Sequence, residues 1–355
     1  MHATARGSAA IVGIALAACL APTGAPTRSP GQVIEAIAPR ARVMAGLFAP
    51  QAFQSLATFG PLMEVQSATT AATRVPVAAA SLQCAARQGT PSNPGGIVPA
   101  GPPLAEGLFP DSLLRHVFVY IDTLGRYESS TDTSGPAGGV RFTLYAVDAI
   151  GSPLSPLQAV GWADLRDRSA PGAPELQVDV HDDVAGPVAA YLVSPKGTQS
   201  GYTAIIAGTI GNATGQVTIG DSTSGAPRQV GIAALVEDSA QALSLHQVAS
   251  RTTLDFFDNN YAVDATFTSG TDSVRIAGTV TTYCLLPAFD DTVSVNGTAV
   301  ALVTTGQRDP IAVRPDRGAL DPVLSAAVLA LFDAQRQTFR VLAAFAAPAT
   351  QLLPP

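Results

Sequence analysis

The chain is poor in the residue types that carry most enzyme chemistry. Its 355 residues include four histidines, three cysteines, three methionines and one tryptophan. Charged residues make up only 13%, and aromatic residues 6%. Lys196 is the sole lysine, an arginine bias that fits GC-rich coding better than a binding surface. With a formal charge of −7 and no clustered basic groups, the chain argues against nucleic acid as a partner, since phosphate neutralisation needs such clusters. No phosphate-binding glycine loop or dinucleotide fingerprint occurs. Paired histidines at the spacing of a catalytic zinc site are missing too. The apolar stretch Ala9–Ala18, broken only by Gly13, is too short to cross about 30 Å of hydrocarbon.

What that stretch does have is a positive charge before it, at Arg6, and small residues at its end, the layout of a secretory signal. Leu16-Ala17-Ala18-Cys19 closely resembles the lipobox of bacterial lipoproteins. The resemblance implies removal of residues 1–18, with diacylglycerol on the Cys19 thiol and acylation of the freed amine. It also implies palmitate-type chains and a location in the cell envelope. Two or three acyl chains make a lasting anchor, because each buried methylene contributes about 0.8 kcal/mol. Leu20, in place of Asp, points by the same resemblance to the outer membrane. Cleavage leaves 337 of the 355 residues, enough for a large core. Cys84 and Cys284 then remain as an even pair outside the cytoplasm, a candidate disulfide. Two inert thiols and a metal site are the alternatives.

Composition shifts divide the mature chain. Residues 19–31, with three prolines, read as a tether. Residues 32–63 read as a helical segment, with Val33, Ile34 and Ile37 on one face and Pro39 as an interruption. Residues 64–112 turn to Ala, Thr, Pro and Gly with little periodicity, the pattern of an irregular linker. From 113 to 308, apolar residues recur at every second position between turn residues, as in Leu176-Gln177-Val178-Asp179-Val180-His181. Asn296-Gly297 is the strongest hairpin signal, and Gly211–Gly215 is a second. Connections this short predict antiparallel neighbours throughout about a dozen strands. In the helical segment 309–355, Asp321-Pro322 marks a helix start and Leu324, Val328 and Leu331 form a stripe.

Candidate chemistry is thin. Gly220-Asp221-Ser222 resembles the nucleophile turns of trypsin-like and GDSL-type hydrolases in three residues only, and good turn chemistry explains it better. Val140–Pro153 resembles a late strand of fibronectin type III modules, but Trp162 follows it where those modules have a tryptophan before. His116 and His246 read as polar-face strand residues, and His181-Asp182-Asp183 as a solvated turn. Calcium is the one cofactor with any candidates: Asp255, Asp258, Asn260 and Asp264 are expected to crowd one loop, with Asp290-Asp291 in another. The spacing does not match a calcium-binding helix–loop–helix.

The expectation is therefore a mostly β, β-rich α+β lipoprotein. Its core is one large curved antiparallel meander or partly closed barrel, with N- and C-terminal helices packed on it. The expected role is non-enzymatic binding or a structural task at the envelope. The partner would be an apolar ligand, a glycan or an envelope protein, with the membrane held through the N-terminal lipid. A secreted hydrolase with an unidentified site is the alternative.

Overall fold

The computed structural model describes residues 28–62 and 108–352, apart from short gaps at 149–152, 172, 199–200, 213–214, 227–228, 252–257, 284–285 and 306–308. Two helices come first: α1 (Pro30–Gly46) and α2 (Gln51–Leu62). Ser29 caps α1 through a capping box closed by Gln32, and Pro30 sits in the first turn, where its missing N–H costs nothing. The tether expected to run to residue 31 therefore ends at Ser29. Pro39 does not interrupt α1 as expected. It lies on the exposed side, so the carbonyl it leaves unpaired faces water, while Ile37, Ala38 and Ala41 stay buried.

A short 3-10 turn (Asp111–Leu113) leads into the strands. They are β1 (Val117–Ile121), β2 (Arg126–Ser129), β3 (Gly139–Tyr145), β4 (Ala159–Asp167) and β5 (Leu176–Asp182). The long ones follow: β6 (Gly186–Thr198), β7 (Gly201–Asn212), β8 (Gly215–Ala226), β9 (Gln229–Asp238) and β10 (Leu243–Arg251). The last are β11 (Asp258–Ser269), β12 (Asp272–Tyr283), β13 (Leu286–Val295), β14 (Thr298–Thr305) and β15 (Pro310–Val313). Helix α3 (Pro322–Leu352) follows, with the Asp321 carboxylate accepting from the backbone of Val323 and Leu324.

All fifteen strands form one sheet, in order β15 to β3 by sequence, then β1 and β2. The mostly β, antiparallel meander read from the sequence is what the chain forms, and the sheet stays open, with β15 and β2 as its edges. The Asn296-Gly297 hairpin forms with both residues at positive φ, joining Val295 to Thr298. One pairing departs from the expectation: β1 runs parallel to β3. A long crossover is unnecessary because β2 intervenes, returning the chain to the end where β3 begins on the other side of β1.

One face of the sheet is covered by helices. Helix α2 lies on β3, β4 and β5, α1 on β10 to β13, and α3 touches both β6–β7 and β14–β15. A helix that reaches strands so far apart in the order requires a sheet that curls around it. The enclosed side chains form one continuous core, from Val33, Ile37 and Phe53 through Phe142, Tyr191 and Phe267 to Val328 and Phe332. No helix among the described residues is long and apolar enough to cross a membrane.

Candidate functional site

Strand alternation places polar groups on the helix-covered face at a few positions. In β13 the odd residues point inward: Phe289, Val293 and Val295 are buried, and so is Asp291, at 1% exposure. Among the described residues, neither carboxylate oxygen of Asp291 has a hydrogen-bond partner. Burial, reinforced by neighbouring Asp290 and only partly offset by Arg336, pushes its carboxyl up to about 7. The Arg336 guanidinium, from α3, lies 4.7 Å from the Phe289 ring centre and 5.7 Å from that of Phe332. Phe332 meets Phe289 edge-on at 5.0 Å. Asp291 is thus an acid in an apolar and aromatic seam between sheet and helix.

Room for that carboxyl comes from Gly278, its neighbour across on β12. A Cβ there would fall 2.1 Å from the Asp290 carbonyl oxygen and 2.5 Å from Asp291 Oδ1. Gly278→Ala should therefore destabilise the protein by about 2 kcal/mol, read from urea unfolding. An unchanged midpoint would show that the carboxyl does not occupy this gap.

Gln247 is a second inward polar group, between buried Leu245 and Ala249 on β10. Among the described residues, its amide nitrogen and oxygen both lack partners. Two strands lie between it and Asp291, three spacings or about 15 Å across the sheet, so the two are distinct points in one interior.

Asp182 is the contrasting case, buried but fully used. It accepts from the backbone N–H of Val184 (2.9 Å) and Ala185 (3.0 Å) in the β5–β6 turn, and of Ala52 (3.2 Å) at the start of α2. Burial raises its pKa, but these donors outweigh it and the carboxyl sits below its ordinary value. The solvated turn expected at His181-Asp182-Asp183 is instead a helix anchor. Nearby, Ser55 on α2 accepts from Tyr145 N–H at 3.1 Å, which ties the same helix to β3.

His181 faces the other way and stacks on Trp162, with ring centres 3.9 Å apart and 19° between planes. Arg141 covers the Trp162 ring at 5.0 Å and pairs with Asp164 through two hydrogen bonds of 2.6 and 2.9 Å. Arg166 joins Asp164 to Asp179. This outward ladder satisfies its own charges and covers the aromatic ring, so it reads as cross-strand reinforcement.

The remaining sequence candidates do not converge. His116, with Nδ1 2.8 Å from Ser129 Oγ, precedes β1, and exposed His246 lies on β10. Ser222 lies within β8, paired with Ile205 and Ala233, and not in the turn expected of Gly220-Asp221-Ser222. Asp258, Asn260 and Asp264 belong to β11 rather than a loop. An extended strand spreads Asp258 and Asp264 over roughly 20 Å, too far to share one ion. Asp264 is taken by Arg275 at 2.6 and 2.8 Å, and that hydrogen-bonded guanidinium holds its carboxyl below the usual range. Asp290-Asp291 is likewise strand, not loop. Among the described residues no three His, Cys, Asp or Glu gather as a metal site. Cys19, Cys84, Cys284 and Asp255 lie outside the described residues.

No known protein family, curated protein or solved structure matches this chain. Its site must be read from its own chemistry. The alternation that turns Asp291 and Gln247 inward is present in the sequence, in Phe289-x-Asp291-x-Val293 and Leu245-x-Gln247-x-Ala249. Adjacent acids read as an oxygen-rich loop suited to calcium, which hides the inward one.

Proposed function

We propose that the chain is an envelope lipoprotein, tethered through Cys19, that binds an amphiphilic ligand between its curved sheet and covering helices. The observation that carries this reading is the unpartnered, buried carboxyl of Asp291, supported by the amide of Gln247. A buried polar group without a partner costs about 1–3 kcal/mol, so the interior favours a guest that brings a hydrogen bond with its apolar body. At neutral pH a carboxyl titrating about 7 is partly protonated and can both donate and accept. It therefore suits an uncharged polar head such as a hydroxyl or amide. Helix α3, held beside Asp291 by Phe332 and Arg336, is the part of the cover that would shift to admit it.

The test is mass spectrometry of lipids extracted from the detergent-solubilised full-length protein, counting only molecules not covalently attached. An amphiphile should co-purify, and Asp291→Val should lower its retention roughly tenfold, as loss of one hydrogen bond predicts. A protein free of extractable amphiphile, or a variant that retains it equally, overturns the reading. The tether is tested separately: labelled palmitate should enter the protein, and Cys19→Ser should abolish both the label and retention on the envelope.

A further inference from the structure

We infer that one end of the sheet is a lipid-docking surface, at which Leu124, Leu154 and Val184 enter the apolar edge of a bilayer. The inference rests on the tether at Cys19 proposed above. Because β1 is parallel to β3 and the other neighbours are antiparallel, the register fixes which turns share an end. The β1–β2 turn, the connection from β3 to β4 and the β5–β6 turn all lie there. Each presents one large apolar side chain to solvent: Leu124 at 51%, Leu154 at 41% and Val184 at 97% exposure.

A single exposed leucine needs no explanation, but three on neighbouring turns form a common surface. The turns are fastened to their neighbours. The Ser155 hydroxyl, beside Leu154, donates to Asp122 in the β1–β2 turn at 3.2 Å. Asp183 N–H, beside Val184, donates to the Val160 carbonyl of β4 at 2.9 Å. Asp182 holds the base of the β5–β6 turn through two further backbone hydrogen bonds. The apolar tips are thus presented on a braced frame.

The direction of the tether agrees. Arg28, the first described residue, is paired at 3.0 Å with Asp272, in the first position of β12. Following the antiparallel register from β5 to β12 places that β11–β12 turn at the same end. Nine residue steps from Arg28 to Cys19 span at most about 30 Å. An acylated Cys19 would therefore hold this end, not the opposite one, close to the bilayer. The charges beside the tips are mostly acidic, with Asp122, Asp148 and Asp183 against Arg126, which is itself paired with Glu128, so the docking is apolar and needs no anionic lipid.

The experiment uses the full-length acylated protein on neutral phosphatidylcholine vesicles whose acyl chains carry bromine, a contact quencher of tryptophan. Val184→Trp and Leu124→Trp should lose emission relative to unbrominated vesicles, after subtraction of the Trp162 signal from the parent protein. Thr133→Trp, in the β2–β3 connection at the opposite end, should not. The quenching should persist at high salt, and adding Leu154→Asp should reduce it severalfold. Vesicle-bound protein whose tips are unquenched, or whose Thr133→Trp is quenched equally, overturns the docking surface and leaves the tether standing. Failure of labelled palmitate to enter the parent protein overturns the tether, and the docking inference with it.

Discussion

Asp182→Ala should lower stability by about 3 kcal/mol and loosen α2 before the rest of the molecule unfolds. The carboxylate serves Val184, Ala185 and Ala52, and its removal leaves three backbone donors to find other partners. The Ala52 N–H is among the orphan donors of the first turn of α2, so the loss is that of a helix cap supplied by a distant strand. The pH dependence gives a sharper check. Because the folded-state pKa lies below the ordinary value of 3.8, the stabilisation is full above that pH. It fades as pH falls through the depressed native value. The gap between parent and variant in urea unfolding should therefore be constant near neutrality and narrow in acid. Hydrogen exchange at α2 should rise most. Equal exchange in α2 and in the central strands would remove Asp182 from its anchoring role.

Asp291→Asn should act in the opposite sense, over a higher pH range. Unfolded, the carboxyl titrates at 3.8; folded, it titrates at about 7. A group with a raised native pKa contributes fully below its unfolded value and loses that contribution as pH rises through the native one. Between pH 4 and pH 8 the parent should therefore lose on the order of 4 kcal/mol relative to the variant, at 1.36 kcal/mol per unit. Unfolding of ligand-stripped full-length protein at the two pH values measures this directly. Parallel stability curves for the two proteins would mean that Asp291 is solvated or paired. The neutral-pH cost of burying Asp291 is what the hydrogen bond of the proposed ligand would offset, which is the link from this stability effect to that reading.

Much of the frame was legible in the residues. Alternation from Val117 onward announced strands, because a sheet with one covered face buries every second residue. Asn296-Gly297 and Asp321-Pro322 marked a hairpin and a helix start because those positions demand positive φ and an N-cap, which few residues supply. Local rules failed where distant packing overrode them. Pro39 stays inside α1 because buried residues on both sides of it hold the helix against the core. Gly220-Asp221-Ser222 and Asp290-Asp291 are rich in turn formers, yet each is carried inside a strand by pairing on both sides.

The residues alone settled a β-rich meander with helices at either end, since periodicity and turn chemistry are local and survive without knowledge of the partner. Tertiary structure alone decided which face the helices cover. That choice turned Asp182 into a cap for α2, left Asp291 and Gln247 without partners, and gathered Leu124, Leu154 and Val184 at one end. Burial and proximity depend on elements far apart in the chain, as in the 130 residues between Ala52 and Asp182, which no local pattern records.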